Sequence, residues 1–232
     1  MVRVLAIADE VDERLWWDVG PVRGVDLVLA CGDLPLEYLG HLMNCLDVPL
    51  VFVPGNHDPD LTGYRASRSG LMLRAGLPEE PPWPPGALNA DGRLVDVLGL
   101  RIAGLGGCVR YGAGPNQYTD RQYTRRAWRL RAHARWAARD GRGVDVMLTH
   151  APPRGLGDAE VAPHRGIRSL PNLVAHLRPR WLLHGHVHPY GADAPDLQLH
   201  GTTVRNVVGR HIFEIGGREG VTSGAANRIS EG

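Results

Sequence analysis

The amino-acid sequence predicts a layered α/β fold built around parallel strands. Three apolar runs suit strands that are buried on both faces: Val2 to Ala8, Asp26 to Cys31 and Pro49 to Pro54. Between the second and third runs, apolar residues at helical spacing predict a helix from Leu36 to Leu46. Strands that alternate with helices in this way run parallel in one sheet. With 43% hydrophobic and 22% charged residues, the chain of 232 residues can bury such a core.

The middle of the chain is predicted to hold a hairpin and the longest helix. The proline-rich segment from Glu79 to Gly86 is expected to be irregular and exposed. Two short strands within Arg93 to Leu105, with a turn near Gly99, predict a hairpin. The longest helix is predicted from Thr119 to Arg139, because Thr119 and Gln122 form a capping-box signature and one apolar stripe follows.

The rest of the chain predicts further strands and a short helix. We expect a buried strand from Val144 to Leu148, a helix from Pro171 to Leu177 and a strand from Arg180 to Leu183. Residues 1–215 are predicted to form a single domain, and residues 216–232 a polar, glycine-rich tail that is loosely held. Three closing antiparallel strands are predicted at Leu197–Leu199, Val204–Val208 and His211–Ile215.

Bulk composition excludes some classes of protein. The formal net charge of +1 directs the chain to no particular partner, and no apolar run is long enough to span a bilayer. The N-terminal segment lacks the features of a signal peptide. The three cysteines are an odd number without metal-type spacing, as is typical of reduced thiols. We therefore expect a cytoplasmic protein that does not contact a membrane; the sequence does not indicate its oligomeric state.

Polar residues that can bind metal follow the ends of the predicted strands. In open α/β sheets, functional sites lie at the carboxyl ends of the strands. A lone His-x-His pair or a lone Gly-Asn-His-Asp turn is weak as a signal, but the whole ordered set is specific. The candidate metal ligands are Asp9, Asp33, Asn56, His150, His186 and His188.

The combination of carboxylate, amide and imidazole ligands indicates a hydrolytic metal centre. Mn²⁺, Fe²⁺ and Zn²⁺ accept these ligand types together, and a central carboxylate such as Asp33 can bridge two ions. Two ions about 3.5–4 Å apart can clamp a phosphate and hold a bridging hydroxide as the nucleophile. The sequence therefore predicts a hydrolytic centre for divalent metal ions, with Mn²⁺ as the first choice and Fe or Zn as alternatives.

These motifs resemble those of the calcineurin-like metallophosphoesterase superfamily, over about residues 3 to 190 and most closely its small bacterial phosphoesterases. The resemblance implies a four-layer α/β/β/α sandwich with two mixed β-sheets and a metal site at the strand carboxyl ends. It also implies that His57 is a catalytic residue that assists the leaving group. By the same resemblance, one metal would be held by Asp9, Asp33 and His188, and the other by Asp33, Asn56, His150 and His186.

Two positions depart from the family pattern D-x-H, G-D-x-x-D, G-N-H-[DE], His, G-H-x-H. Val11 stands where the first motif has histidine, and Leu36 stands where the second motif has its second aspartate. We expect the site beside Val11 to bind its ion weakly, or to recruit Glu10, Asp12 or Glu13. The aspartate missing at position 36 often orients the catalytic histidine in the family, and here Asp58 or Glu37 can substitute for it.

Three further residues are candidates for binding the substrate, which we expect to be a small phosphomonoester or phosphodiester. Arg110 follows the glycine-rich loop Gly104 to Gly107 and, with Tyr111, can reach the predicted metal site. His164 and Arg165 lie in a later loop that Asp158 is expected to anchor. For each of the three, an ordinary surface or structural role is the competing interpretation.

Two alternatives remain open at this point. A nuclease of the same superfamily is one, because eight arginines lie between Asp120 and Arg142, where a basic helix can follow a nucleic-acid backbone. A solvated outer face is the more usual role of such a helix, so nucleic acid is not favoured as a partner. The other alternative is a catalytically weak binding protein that keeps the fold, which Val11 and Leu36 would favour.

Overall fold

The computed structural model describes residues 1–189 and 194–216. Of the predicted tail, only Gly216 is described, so that prediction lies almost wholly outside the described residues. No helix in the described ranges is long and apolar enough to cross a membrane.

The helices are α1 (Leu36–Leu46), α2 (Asp120–Ala137) and α3 (Leu170–Leu177), with short 3₁₀ helices at Glu13–Trp16, Gly20–Val22, Ala138–Asp140 and Ala162–His164. The strands, in chain order, are β1 (Val2–Ala8), β2 (Leu27–Ala30), β3 (Leu50–Phe52), β4 (Arg65–Ala66), β5 (Met72–Arg74), β6 (Leu77–Pro78), β7 (Leu88–Asn89), β8 (Leu94–Val97), β9 (Leu100–Leu105), β10 (Cys108–Val109), β11 (Gln117–Tyr118), β12 (Val146–Thr149), β13 (Trp181–His184), β14 (Leu197–Leu199), β15 (Thr202–Asn206) and β16 (Gly209–Ile215).

Two mixed sheets form the centre of the molecule. The first has the strand order β16-β1-β2-β3-β7, in which β1, β2, β3 and β7 run parallel and β16 runs antiparallel to β1. The second has the order β14-β15-β13-β12-β9-β8, with a parallel centre and an antiparallel strand at each edge. The predicted α/β class and the pair of mixed sheets are confirmed.

The core consists of three apolar layers, which explains the four-layer arrangement. Successive residues of a strand point to opposite faces of the sheet. In β1, Val4 and Ala6 therefore join the layer between the two sheets, which includes Ile102 and Leu148 of the second sheet. Outer layers pack α1 against the first sheet and α2 and α3 against the second. Residues from the alternate face of β1 that pack toward α1 are Leu5 and Ile7.

Several sequence predictions are confirmed in detail. α1 has the predicted bounds, and the Thr119–Gln122 capping box is present at the start of α2. The predicted hairpin is formed by β8 and β9, which pair antiparallel on either side of Leu98 and Gly99. The segment from Glu79 to Gly86 contains no strand or helix.

The three predicted closing strands are present, but their pairing extends over both sheets. β15 runs antiparallel to β14 but parallel to β13, and β16 leaves the second sheet to pair with β1 of the first. Apolar alternation identifies a strand without identifying its neighbour, so the sequence could not show that the chain changes sheets between Asn206 and Gly209. The small sheets β4-β5-β6 and β10-β11 were also not predicted, because their strands have only two or three residues.

Candidate metal centre

The predicted ligands lie at the carboxyl ends of strands from both sheets. Asp9 follows β1, Asp33 follows β2 and Asn56 follows β3 in the first sheet. His150 follows β12 and His186 follows β13 in the second sheet. Because the two sheets face each other across a common apolar layer, these five strand ends open on the same region of the molecule.

Unusual backbone conformations hold three of these residues at the turns. Asp9, Asp33 and His186 have φ angles of 61°, 57° and 69°, in the left-handed region. Residues with a Cβ atom adopt this region at a cost of about 1–2 kcal/mol each. Such conformations are found at functional sites, and here they make the turns sharp enough to direct these side chains toward the strand ends.

Two glycines allow the turns to approach one another closely. A Cβ atom on Gly55 would lie 2.0 Å from Oδ1 of Asp33, and one on Gly185 would lie 2.1 Å from Oδ2 of Asp9. Both distances are far below van der Waals contact, so any side chain at either position would displace a candidate ligand. The glycines in the Gly-Asn-His-Asp and Gly-His-x-His motifs are therefore required by the packing of the carboxylates.

Four of the predicted ligands converge in a buried cluster. One potential ligand atom each from Asp33, His150 and His186 lies within 4.8 Å of the others. Nε2 of His150 is 2.9 Å from Oδ1 of Asn56 and 3.2 Å from Oδ2 of Asp33. His150, Asn56 and His186 are all buried. This donor set of oxygen and nitrogen atoms fits a divalent ion such as Mn²⁺, Fe²⁺ or Zn²⁺.

Backbone carbonyls fix which nitrogen of each histidine can bind a metal. Nδ1 of His150 lies 2.8 Å from the Cys31 carbonyl oxygen, and Nε2 of His186 lies 2.6 Å from the Pro163 carbonyl oxygen. A carbonyl only accepts hydrogen bonds, so each of these nitrogens carries the proton. The opposite nitrogens, Nε2 of His150 and Nδ1 of His186, are the ones that can bind a metal; Nε2 of His150 faces the acceptor oxygens of Asn56 and Asp33 and would release a proton on binding an ion. Such orientation by a second hydrogen bond is typical of histidines that bind metal.

The electrostatics of the buried cluster favour a cation. Burial would raise the pKa of Asp33, but the hydrogen bond and charge of His150 and the His57 amide lower it below the ordinary value. Burial would likewise lower the pKa of His150, yet the hydrogen bond and charge of Asp33 raise it. Burial, followed by the charge of His150, lowers the pKa of His186 to about 3. Asp33 is thus ionised and His186 neutral at physiological pH, as metal binding requires.

The other predicted half of the centre is more open. Oδ2 of Asp9 accepts a hydrogen bond from the His186 amide at 2.9 Å, and burial raises the pKa of Asp9. His188 lies outside the buried cluster and pairs with Glu10, with 3.0 Å between Nδ1 and Oε1. Both of these side chains are about half exposed, at 50% and 59%. In this half, Asp9 is held at the turn after β1, whereas His188 and Glu10 are surface groups.

Val11 has a packing role where the family pattern has a ligand. Its partly buried side chain packs against the apolar layer under α1. Of the three acids expected to compensate, Glu10 is the one that contacts His188. Asp12 caps the 3₁₀ helix through the Arg14 amide and forms a 3.0 Å ion pair with Arg210, while Glu13 is exposed in that helix.

His57 and Asp58 have different surroundings although they are adjacent. His57 is exposed, and its backbone amide donates to Oδ1 of Asp33 at 2.8 Å. Asp58 is buried, and its Oδ2 accepts from the amides of Gly55 and Asp33 at 2.7 and 3.0 Å. The carboxylate of Asp58 therefore ties two ligand loops together, and its orientation of His57 stays a prediction. Glu37 is exposed at the start of α1.

The three predicted substrate-binding residues lie at different distances from the centre. The ring of His164 lies 5.7 Å from that of His186, nearly perpendicular to it, and so borders the buried cluster. Arg110 and Arg165 donate to the carbonyl oxygens of Gln117 and Glu160, respectively.

Asp158 anchors the loop of His164 and Arg165, as expected. Its carboxylate accepts from the amides of Gly155 and Gly166, both at 2.9 Å, and from the Arg154 guanidinium at 2.8 Å. The loop is thereby held against the strand ends, where His164 contacts His186.

Tyr111 has a role that the sequence did not reveal. Its phenolic oxygen accepts a hydrogen bond of 3.0 Å from Nδ2 of Asn56, which turns Oδ1 of that amide toward His150. Gln117 holds the Tyr111 loop by accepting from the amides of Tyr111 and Gly112. The position of Tyr111 next to Arg110 was the signal in the sequence, but its partner was not predictable.

A second unpredicted network supports the Asn56 loop from behind. Asp91 accepts from the Gly106 amide at 2.6 Å, and Arg126 binds the carboxylate of Asp91 and the carbonyl oxygen of Gly106. The neighbouring Gly107 amide donates to the Pro54 carbonyl at 2.8 Å, directly before Gly55 and Asn56. The sequence did not distinguish Arg126 from the other arginines of α2.

A groove of about 1430 Å³ lies elsewhere, between α1 and the proline-rich segment. None of the candidate metal ligands lines this groove, and its walls include Leu36, Leu71 and Trp83. We place the chemistry at the strand ends, because convergent ligands specify a reaction centre and volume alone does not.

The chain has known relatives in fold and in sequence. One solved crystal structure is similar to the chain with a TM-score of 0.56 and 16% sequence identity, covering 88% of this chain and 89% of its own. The sulfate thiohydrolase SoxB of Thermus thermophilus, solved with glycerol, overlaps 79% of this chain and 34% of its own, with a TM-score of 0.38 and 16% identity. No curated protein was found to match. The sequence pattern of calcineurin-like phosphoesterases matches residues 8–190, most of the length of the chain. The chain therefore belongs to the calcineurin-like phosphoesterase family and is a hydrolase that acts on phosphoric ester bonds.

Proposed function

We propose that the protein hydrolyses a small phosphomonoester or phosphodiester at the strand-end centre. The observation that carries this proposal is the convergence of Asp33, His150 and His186, with one ring nitrogen of each histidine not used by its carbonyl partner. An ionised carboxylate and two imidazoles, all largely buried, would cost stability without a ligand to bind. A divalent ion is the ligand that suits them.

The residues divide into two sets that would hold metal. Asp33, Asn56, His150 and His186 would form the tighter set, because they are buried and held by further hydrogen bonds. Asp9 and His188, with Asp33 shared and Glu10 nearby, would form the weaker set. When bound, divalent ions would supply Lewis-acid activation of the phosphate and of the attacking water. We propose Mn²⁺, with Fe or Zn as alternatives for the same donors.

His57 is our candidate for the group that protonates the leaving oxygen. Its backbone is fixed to Asp33, while its side chain is exposed where a substrate would approach. The charge of His57 contributes to the lowered pKa of Asp33, which supports a ring position near that carboxylate. An imidazole is suited to donate a proton at neutral pH, and such assistance contributes about 10²–10⁴-fold to a rate.

Substrate binding is proposed for the open side of the centre. His164 borders His186 and can donate a hydrogen bond to a phosphate oxygen from there. Arg110 and Arg165 would have to exchange their carbonyl partners for the phosphate, which their partly or fully exposed positions permit. Tyr111, 39% exposed beside Asn56, is a further group that a substrate could contact.

A cytoplasmic location is part of the proposal. All three cysteines are free, with Cys31 and Cys108 buried and Cys45 exposed. Unpaired cysteines are usual in reducing compartments.

The decisive test is the substitution Asp33→Asn, assayed with p-nitrophenyl phosphate and bis-p-nitrophenyl phosphate and added Mn²⁺. We expect turnover below about a hundredth of the wild-type value, since even a group that only supports a metal ligand contributes about 10- to 100-fold. Asp47→Asn is the matched control, because Asp47 also has a left-handed backbone but lies at the end of α1. Unchanged turnover in Asp33→Asn would refute the proposed centre.

A further inference from the structure

The outward face of α2 has an unusual composition for a solvated helix surface. Its inward stripe, Tyr123, Ala127, Leu130 and Ala134, packs against the second sheet. At about 100° per residue, the residues opposite that stripe lie on one strip of surface. We call this strip the Arg–Trp face; it consists of Arg121, Arg125, Trp128, Ala132, Arg135 and Trp136 of α2 and of Arg139 in the 3₁₀ helix that follows, all exposed.

Two tryptophans on this face are open to solvent. Trp128 is 67% exposed and Trp136 is 70% exposed. They are two helical turns apart, about 12 Å along the axis, with the small Ala132 between them. Aromatic side chains are enriched at interaction sites, and exposed apolar groups that cluster on one side of a helix often mark such a site. The indoles thus provide two flat apolar platforms on the same side of α2.

Among the residues that the structure describes, the arginines of the face have no acidic partner. Across the part of the chain that the structure describes, no ion pair involves Arg121, Arg125, Arg135 or Arg139. The two acids at the helix ends are used elsewhere: Asp120 faces Arg168, and Asp140 pairs with Arg101. The chain contains no lysine, so the choice of arginine is uninformative by itself. The informative feature is that unpaired positive charge surrounds two bare indoles.

This combination discriminates among the possible partners. A second copy docking through the same face would bring two positive surfaces together, since a twofold contact pairs identical patches. Insertion into a lipid surface needs a broad free apolar face, but the apolar stripe of α2 is already buried in the core. A polyanion with exposed flat rings satisfies both features, because guanidinium groups bind phosphates and indoles stack on bases.

We propose that the Arg–Trp face of α2 binds single-stranded nucleic acid. The arginines contact the phosphates, and Trp128 and Trp136 stack on unpaired bases, whose faces a duplex does not expose. From Arg121 to Arg139 the face is about 27 Å long, enough to follow several nucleotides of an extended strand. The proposal concerns binding only and is independent of the phosphoesterase proposal, because none of the candidate metal ligands belongs to the face.

The test measures binding of a fluorescein-labelled oligothymidylate by fluorescence anisotropy. The Asp33→Asn protein in EDTA is used throughout, so that cleavage cannot affect the result and a failed phosphoesterase proposal leaves the measurement intact. Binding should weaken with salt, with a slope of log K against log [salt] of about −3 if four arginines contact phosphates. The equivalent oligoribonucleotide should bind similarly, and the duplex more weakly.

Variants locate the binding surface. Trp128→Ala and Trp136→Ala should each weaken binding by about five-fold to a hundred-fold. Arg125→Ala and Arg135→Ala should each reduce the steepness of the salt slope by about 0.7. Trp17→Ala and Arg23→Ala are matched controls, because these side chains are also exposed but lie outside α2. Circular dichroism checks that each variant folds.

Several outcomes would overturn the proposal. Equal losses in the α2 variants and the controls would show that binding is unspecific. Binding to vesicles of phosphatidylglycerol that is stronger than binding to the oligonucleotide, and lost in the same variants, would assign the face to a membrane surface. A dimer that dissociates in Trp128→Ala, without oligonucleotide binding, would assign it to self-association.

Discussion

The two halves of the metal centre differ in how firmly the fold holds them. The half with Asn56, His150 and His186 is buried, and each of these side chains has a second hydrogen-bond partner in Tyr111, Cys31 or Pro163. The half with His188 is a surface ion pair with Glu10. Surface ion pairs contribute only about 0–1 kcal/mol, so little fixes His188 in place.

The difference shows that ligand identity and ligand preorganisation are separate properties of a site. All six predicted ligands are of suitable chemical types, but only the buried half has all of its side chains oriented before an ion arrives. A preorganised site binds an ion more tightly, because its side chains lose little conformational entropy on binding. We therefore expect one tight and one weak ion, with activity that depends on added metal; two equally tight ions in a calorimetric titration would contradict this.

The largest expected effect is the difference between His150→Ala and His188→Ala in the Mn²⁺ affinity of the tight site. His150→Ala should weaken the tight Mn²⁺ site by about 100-fold or more, because a buried ligand and its fixed tautomer are lost together. His188→Ala should leave the tight site unchanged and weaken only the second ion. Isothermal titration calorimetry with Mn²⁺ measures both, with His133→Ala on the exposed surface of α2 as the control. Equal effects of the two substitutions on the tight site would remove the distinction between the halves.

The buried half should also make folding sensitive to acid. Burial lowers the pKa of His184 to about 4, below its ordinary value of 6.5. The unfolded chain then binds a proton that the folded chain does not, so stability is full above about pH 6.5 and falls toward pH 4 by up to about 1.4 kcal/mol per pH unit. Urea denaturation in EDTA measures this slope. His184→Asn, which does not titrate, should have a shallower slope; an unchanged slope would show that His184 does not contribute.

Restoring a ligand to the open half is the next test. Val11→His should tighten the weaker Mn²⁺ site on the order of ten-fold. The substitution removes part of the packing under α1 and should cost about 1 kcal/mol of stability. Val11→Phe fills the same space without a ligand and serves as the control. If both variants bind the second ion as the wild type does, position 11 does not face that ion.

The smallest expected effect comes from Tyr111→Phe. Loss of the hydrogen bond to Asn56 should cost about 1 kcal/mol, which corresponds to roughly five-fold weaker binding of the tight ion. Tyr64→Phe is the control, because it removes a phenolic hydroxyl that donates a hydrogen bond to Glu79, away from the metal centre. Unchanged affinity in Tyr111→Phe would mean that His150 alone orients the Asn56 amide.

Much of the fold could be predicted from local patterns. Apolar runs gave β1, β2 and β3, and helical spacing with the Thr119–Gln122 capping box gave α1 and α2, because these signals act over a few neighbouring residues. The change of sheet between β15 and β16 was not predicted. Strand partners are chosen by packing across the whole domain, and β16 pairs with β1 from the opposite end of the chain.

By itself, the sequence determined the types of the candidate ligands, their order and their location after strands, since each strand end is marked by its own polar turn. Only the tertiary structure decided which ligands are oriented. The hydrogen bond from His186 to Asp9 joins residues 177 positions apart, and that from His150 to Cys31 joins residues 119 apart. No local pattern encodes such contacts. Burial, tautomer and charge at the centre arise only when both sheets pack. They orient the ligands of the buried half and leave His188, in the half beside Val11, exposed.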